Sequence, residues 1–480
     1  MEQESIRNHL LDQLIGIPKL LNYPQIKALD EDDYPRPFII KVTSAELQKI
    51  RDQILSAKAD ELDQIEIEPG VLAEKIADRI RRQFKPSVAP AINAAGIILH
   101  NALGRASLCQ EAQDAIAHAI KNYCTLAIDR ATGKRGDRYV HVDELLCHLT
   151  GAEAAVVVNN NAGATMLVLN TMAFGREVVI SRGQLIEIGG SFRLPEVMKR
   201  SGAIMVEVGT TNKTHPWDYE RAITEKTAML LRVHTINYQI VGFTSEVPLT
   251  FLVELGQKHN LPVVDNIGSG CLIDFEKYGL PPEPMVQDSI KAGADIVTFS
   301  GDKILGGPQS GIIIGKKKYI DPIKKNPLTR ALRCDKLTYA ALEATLKLFL
   351  DEEHLSERHP VLKLLTIPTQ RLASRARTFR RHLKNIVEGK CEIKAIDGFS
   401  QLGSGSLPAQ YLPTKLIALK PQTMSAESLA AKLRDNEPPI FARIADDEVF
   451  LDLRTIREDE TKVVENAIND IFSDLEENRG

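Results

Sequence analysis

The chain has 480 residues, of which 43% are apolar and 26% charged, with a net charge of −4. These values suit two or three folded domains and exclude a chain that grips nucleic acid by bulk charge, so any RNA contact must come from a local patch. Its six cysteines (109, 124, 147, 271, 334 and 391) show no CxxC or metal-ligand spacing, and no apolar run approaches the ~20 residues of a membrane span. The expected setting is therefore a reducing cytoplasm, with no disulfide scaffold, no metal site and no membrane contact.

Residues 1–90 read as a helical module. The opening Met1-Glu-Gln-Glu-Ser-Ile-Arg lacks the apolar core of a signal peptide. Pro24, Pro35, Pro37 and the run Asp30-Glu-Asp-Asp33 break the first half. Helical spacing then covers 44–59 and 69–84, with starts expected at Ser44 and at Glu68-Pro69. Residues 1–70 hold 8 Lys/Arg against 14 Asp/Glu. The tail Arg79, Arg81, Arg82 and Lys85 is basic, which suits either an RNA contact or a solvated helix face.

From Ile92 the pattern becomes strand, turn, helix. Asn93 to His100 leads into Asn101-Ala-Leu-Gly-Arg105, followed by a helix over 110–121. The loop 129–138 carries Arg130, Lys134, Arg135 and Arg138 among glycines, either as an oxyanion site or as an exposed basic loop. Ala154-Ala-Val-Val-Val158 is a strand that runs through Asn159-Asn-Asn-Ala-Gly163 into a helix over 164–172. That combination makes an anion site, because the first helical N–H groups have no partner within the helix. Further strands are expected over 177–181, 203–208, 228–234, 261–265, 295–300 and 311–315, with helices between most of them. Such alternation argues an α/β fold, a mostly parallel sheet with helices on both faces and ligands at the strand ends.

Two strand ends carry chemistry. Leu261-Pro-Val-Val-Asp265 ends in a carboxylate, and 38 residues later Lys303 sits in Ser300-Gly-Asp-Lys-Ile-Leu-Gly-Gly-Pro-Gln-Ser-Gly311. A desolvated lysine amine loses its proton more easily and attacks aldehydes to form a Schiff base, whereas a solvated turn lysine does neither. Pyridoxal phosphate requires a phosphate cradle, an acid for its ring nitrogen and a lysine for its aldehyde. The turn at Asn160, Asn161 and Ala162, then Asp265, then Lys303 supply those parts in chain order.

Residues 341–480 read as a smaller α/β domain, leaving 91–340 as the catalytic one. Its basic helix over 370–387 (Arg371, Arg375, Arg377, Arg380, Arg381, Lys384) suits a solvated face. Strands are expected over 415–419, 440–444 and 449–453, a helix over 425–434, and a terminal helix.

The chain resembles the bacterial L-seryl-tRNA(Sec) selenium transferases, also called selenocysteine synthases, from about Ile92 to Leu453. The motifs that carry the resemblance are Val158-Asn-Asn-Asn-Ala162, Ile188-Gly-Gly-Ser-Phe-Arg193, Val208-Gly-Thr-Thr-Asn212 and Gly268-Ser-Gly270. They continue with Phe299-Ser-Gly-Asp-Lys303, Gly306-Gly-Pro-Gln309, Arg330-Ala-Leu-Arg333 and Gly403-Ser-Gly-Ser-Leu-Pro408. The resemblance implies a fold-type-I pyridoxal phosphate transferase that converts seryl-tRNA(Sec) to selenocysteinyl-tRNA(Sec) through a dehydroalanyl intermediate, with selenophosphate as donor. It implies a homo-oligomeric ring that grips tRNA largely by the N-terminal module. It also implies that His234 and Ser300 join the cofactor set, and that Arg105, Arg330 and Arg333 clamp the selenophosphate. Lys303 is then the natural general base, and Asp302 is either the acid for the departing hydroxyl or a cap of its turn.

The chain departs from the family pattern at Asn101, Ala102, Gln184 and Ile236, where members usually carry Thr, Asn, Glu and Ser. Two other readings stay open beside the transferase. One is a paralogue that performs β-elimination or transfer on a small substrate without tRNA. The other is a non-catalytic tRNA- or partner-binding assembly protein.

Overall fold

The computed structural model describes residues 2–32, 34–58, 61–189, 192–235, 237–387, 389–404 and 411–477. It contains two compact units, Met1–Pro90 and Ala91–Gly480. The first is helical and packs around Ile26, Leu29, Ile39, Leu47, Leu72, Ile76 and Ile80. Its prolines start helices instead of breaking them. Pro24 opens Pro24–Glu31 and Pro37 lies in the first turn of Arg36–Ser56, where a missing N–H costs nothing. The helix expected from Ser44 therefore begins at Arg36. Pro69–Phe84 forms as expected, and the Glu68 carboxylate accepts from Gly70 N and Val71 N to cap it. Two charges of the basic tail are internal to this unit: Arg79 pairs with Glu46 and Arg81 with Asp78.

The second unit is built on seven strands: β1 (Ala154–Val158), β2 (Glu177–Ser181), β3 (Ile204–Val208), β4 (Thr227–Val233), β5 (Val263–Gly268), β6 (Ile296–Ser300) and β7 (Gly311–Gly315). Their order is β1-β7-β6-β5-β4-β2-β3. All pairings are parallel except those of β7, which runs antiparallel between β1 and β6. The central strands are Val- and Ile-rich because both faces are covered. Val156, Val158, Val264 and Ile296 pack on one face with helix α1 (Asn161–Ala173). Ala155, Val157, Val297 and Phe299 pack on the other, where α2 (Val286–Lys291) and α3 (Lys336–Leu348) lie.

Register puts two chain segments side by side. Gly311, the first residue of β7, pairs with Val158 on one side and with Ser300 on the other. The turn after β1 and the lysine turn after β6 thus meet at the mouth of one strand. A Cβ on Gly311 would stand 2.1 Å from the Asn160 carbonyl oxygen, so only glycine lets them close up.

Four antiparallel strands form a second sheet: β8 (Cys391–Ser400), β9 (Leu412–Pro421), β10 (Arg443–Ala445) and β11 (Glu448–Asp452), in the order β8-β9-β11-β10. The strand β8 had no sequence expectation. The strand expected over 440–444 divides: Ile440–Phe441 leaves this sheet and pairs with Ile92–Asn93. Residues 91–340 and 341–480 thereby share one compact unit. The basic helix, Thr369–Ile386, packs Leu372, Phe379 and Leu383 inward, while Arg375 donates to the Leu453 and Ile456 carbonyls.

Candidate active site

Lys303 leaves the end of β6 and is only 5% exposed. Burial, reinforced by the Arg105 charge, pulls its amine down to about 8, against the opposing pull of Asp302 and Glu283. An amine so placed is partly unprotonated near neutrality. A chain of contacts fixes its surroundings. Arg105 donates to Asp302 Oδ2 at 2.7 Å and to Asn101 Oδ1 at 3.0 Å, and Ser404 Oγ donates to the same Asn101 oxygen at 2.8 Å. Arg105 follows Gly104 in a left-handed turn, with φ of 65° and 88° respectively. Asn101, one of the departures from the family pattern, is thus the residue that aims Arg105.

The cradle expected after β1 is present. Asn160 caps α1 by accepting from Gly163 N at 2.8 Å. The N–H groups of Asn161 and Ala162, in the first turn, have no intrahelical carbonyl to meet and are free for an anion. Asn159 N donates to Leu332 O at 2.8 Å, which ties the cradle to the segment carrying Arg330 and Arg333. Ser300 ends β6 opposite Gly311.

Asp265 is not brought to the cradle. The strand that was expected to stop there runs on to Gly268, so Asp265 lies within β5 with its side chain on the α2 face. It is fully buried and accepts from Arg232 Nη1 at 3.0 and 3.2 Å and from Ser289 Oγ at 2.6 Å. The neighbouring Asn266 faces α1, because successive strand residues point to opposite faces. Its Oδ1 accepts from Asn161 Nδ2 at 2.9 Å and its Nδ2 donates to Thr165 Oγ1 at 3.1 Å. His234 follows β4 and donates its backbone N–H to Asn266 O. Burial and then Arg232 lower its ring pKa, with Asp265 opposing.

The expected arginine clamp divides. Arg330 and Arg333 line one cleft of about 320 Å³ together with Arg135, Arg138 and Lys324. Arg333 lies just past the helix Leu328–Ala331, bridged to Val158, so the pair does not share a helical face. Arg138 is the strongest influence lowering the Arg333 pKa, ahead of burial, Arg330 and Arg135. Arg105 is not in this cleft; it stands beside Lys303. A larger cleft of about 750 Å³ lies between the helix Gln110–Lys121 and α3 and contains none of the expected site residues. Gln184 is buried and accepts from Val233 N at 3.0 Å, so it braces β4. Gly190, Ser191, Ile236 and 405–408 lie outside the described residues.

Sequence reasoning missed Asn266, Asn101 as an aiming residue, and Glu283. The signal for Asn266 was adjacency to Asp265, and that for Asn101 was its place four residues before Arg105; Glu283 had no local signal.

A family model described as L-seryl-tRNA selenium transferase matches residues 91–457. The chain belongs to the L-seryl-tRNA selenium transferase family. It is 48% identical to the L-seryl-tRNA(Sec) selenium transferase of Alkaliphilus metalliredigens, over 97% of this chain and 99% of that one. It is 43% identical to the Geobacter sulfurreducens protein of the same name, over 97% of this chain and 100% of that one. Among solved structures, D-glucosaminate-6-phosphate ammonia-lyase matches with a TM-score of 0.56 at 21% identity, covering 80% of this chain and 95% of the other. That likeness is one of fold. Membership of the L-seryl-tRNA selenium transferase family spans nearly the whole chain, the helical unit included. No helix among the described residues is long and apolar enough to cross a membrane.

Proposed function

We propose that this protein is a pyridoxal phosphate enzyme that converts seryl-tRNA(Sec) to selenocysteinyl-tRNA(Sec), with selenophosphate as selenium donor. The observation that carries this reading is the buried Lys303 amine, held to about 8, in a chain nearly half identical to proteins of that name.

The residues fit the cofactor. A phosphate suits the free N–H groups at the start of α1, and an aldehyde suits the Lys303 amine. Asn161 Oδ1 and Ser269 Oγ are buried with no partner, and they lie in the cradle and beside the lysine turn, where Ile304 N donates to Ser269 O. Bound there, pyridoxal phosphate supplies an electron sink that acidifies the α-proton of an attached amino acid. Lys303 is the base that takes that proton and can hand it to the departing serine hydroxyl. Asp302 already accepts from Arg105, so its part in this reading is to steady the Lys303 charge from beside it. Arg330 and Arg333, with Arg135 and Arg138 beside them, hold the selenophosphate oxygens. The reading also includes a homo-oligomeric ring in the cytoplasm and a tRNA grip by residues 1–90.

The test is direct. The purified protein should show a visible absorbance band that borohydride removes and that Lys303→Ala lacks. With seryl-tRNA(Sec) and selenophosphate it should form selenocysteinyl-tRNA, whereas a small-substrate enzyme would use free amino acids and ignore the tRNA. A protein without the band would end the enzyme reading. Removing residues 1–90 should keep the band and abolish tRNA binding.

A further inference from the structure

Strand β5 is buried along its whole length, so Asp265 and Asn266 are both inside, and alternation alone decides what each one meets. The Asp265 carboxylate is engaged on the α2 face: Arg232 reaches both of its oxygens and Ser289 reaches one. Asn266 occupies the equivalent depth on the α1 face, in contact with the first turn of the cradle helix. It is one strand away from β6, whose end carries Lys303. Two polar atoms near it are buried and unpartnered. One is Asn161 Oδ1, on the side chain that bonds Asn266; the other is Thr298 Oγ1, on the residue that pairs with Asn266 across to β6. The amide nitrogen of Asn266 carries two hydrogens, and Thr165 takes one.

The geometry points to Asn266, not Asp265, as the side chain that meets the ring nitrogen of pyridoxal phosphate. This rests on the cofactor reading given above. The phosphate at the start of α1 and the aldehyde at Lys303 place two edges of the ring, and Asn266 is the polar side chain from the neighbouring strand on that same face. The difference is one of charge. A carboxylate holds a ring nitrogen in its protonated, cationic form. A carboxamide carries no charge whichever way it is turned, and its free N–H donates to the lone pair of an unprotonated nitrogen. The ring in this protein is therefore neutral at nitrogen. A neutral ring withdraws less charge from the attached amino acid, so that charge leaves with the serine hydroxyl instead of collecting on the ring. Such a site is biased toward β-elimination and replacement.

The experiment is nitrogen-15 NMR of the protein loaded with pyridoxal phosphate labelled at its ring nitrogen. The native protein should give the chemical shift of an unprotonated pyridine. Asn266→Asp should move the signal upfield to the protonated position. Asp265→Asn should leave it where it is in the native protein. A protonated signal in the native protein, or a signal that moves with Asp265→Asn, overturns the proposal while leaving cofactor binding intact. No protein-bound signal in the native chain removes the cofactor reading and this proposal together. Should the buried aspartate of Asn266→Asp prevent folding, the native signal and the Asp265→Asn comparison still decide.

Discussion

Arg105 donates to Asp302 at 2.7 Å, immediately before Lys303 in the chain. The ion pair sets two opposing charges beside one amine: Arg105 makes the Lys303 ammonium less favourable and Asp302 makes it more so. Arg105→Ala removes the first influence and frees the second, so Lys303 should become more basic. The rate at which the cofactor-free protein captures pyridoxal phosphate depends on the neutral amine, so its pH profile should shift to the alkaline side. Arg105→Lys should shift it less. An unmoved profile in Arg105→Ala would show that burial alone governs the amine.

Lys303 also links stability to pH. Its amine is held to about 8 in the folded protein, against an ordinary 10.5. Between those values the unfolded chain binds more protons, so the cofactor-free protein should gain stability as pH rises from 8 to 10.5. Below that window the folded state carries the whole cost of a buried ammonium, on the order of 3 kcal/mol. Lys303→Met should therefore be more stable than the native apoprotein in urea at pH 7, and the advantage should fade toward pH 10.5. Equal urea midpoints at pH 7 would contradict the depressed amine.

If Asn266 meets the cofactor, the part left to Asp265 is to hold Arg232 and Ser289 on the α2 face of the sheet. Asp265→Ala leaves Arg232 without its counterion in a half-buried position, a change that costs about 3–5 kcal/mol for a buried pair. The expected outcome is a large loss in melting temperature with the cofactor absorbance band unchanged in position. A band that shifts while stability holds would return Asp265 to the cofactor.

The cleft of Arg135, Arg138, Arg330 and Arg333 gathers like charges that an oxyanion would relieve. Arg333→Ala or Arg138→Ala should weaken thiophosphate binding about tenfold, the factor of one charge-assisted bond. Arg105→Ala should leave that affinity alone, because Arg105 is paired with Asp302 outside the cleft. Calorimetric titration of the three variants separates this arrangement from a clamp that includes Arg105.

The sequence makes the sheet readable because its strands are short β-branched runs bounded by glycine and polar turns, and Lys303 and the Asn160 cradle follow from where those runs stop. The facing of Asp265 toward α2, where it meets Arg232 and Ser289, is not legible in the sequence for the same physical reason. A strand buried on both faces has no polar alternation, so nothing local says which of two adjacent polar residues faces the ligand. Only the contacts of Asn266 with Asn161 and Thr165 on α1 decide it. Asn101 shows a second limit: it aims Arg105 with help from Ser404, far along the chain, and no spacing rule reaches that distance. In the N-terminal unit proline suggests breaks because it stops a helix from within, whereas Pro24 and Pro37 occupy first turns and Pro35 the cap before one.

The insertion of β7 between β1 and β6 bears on how the site comes into being. The cradle strand β1 and the lysine strand β6 are not neighbours; β1 pairs with β7 alone in this sheet, and β6 reaches β1 only through β7. During synthesis the cradle and the lysine turn can exist, yet they cannot be held at their working separation until Gly311–Gly315 has left the ribosome and slotted in. Such a long-range closure is among the slowest events available to a chain. Pyridoxal phosphate should therefore be captured after translation of this region is complete, as a late lock on a nearly finished sheet and not as a template for it.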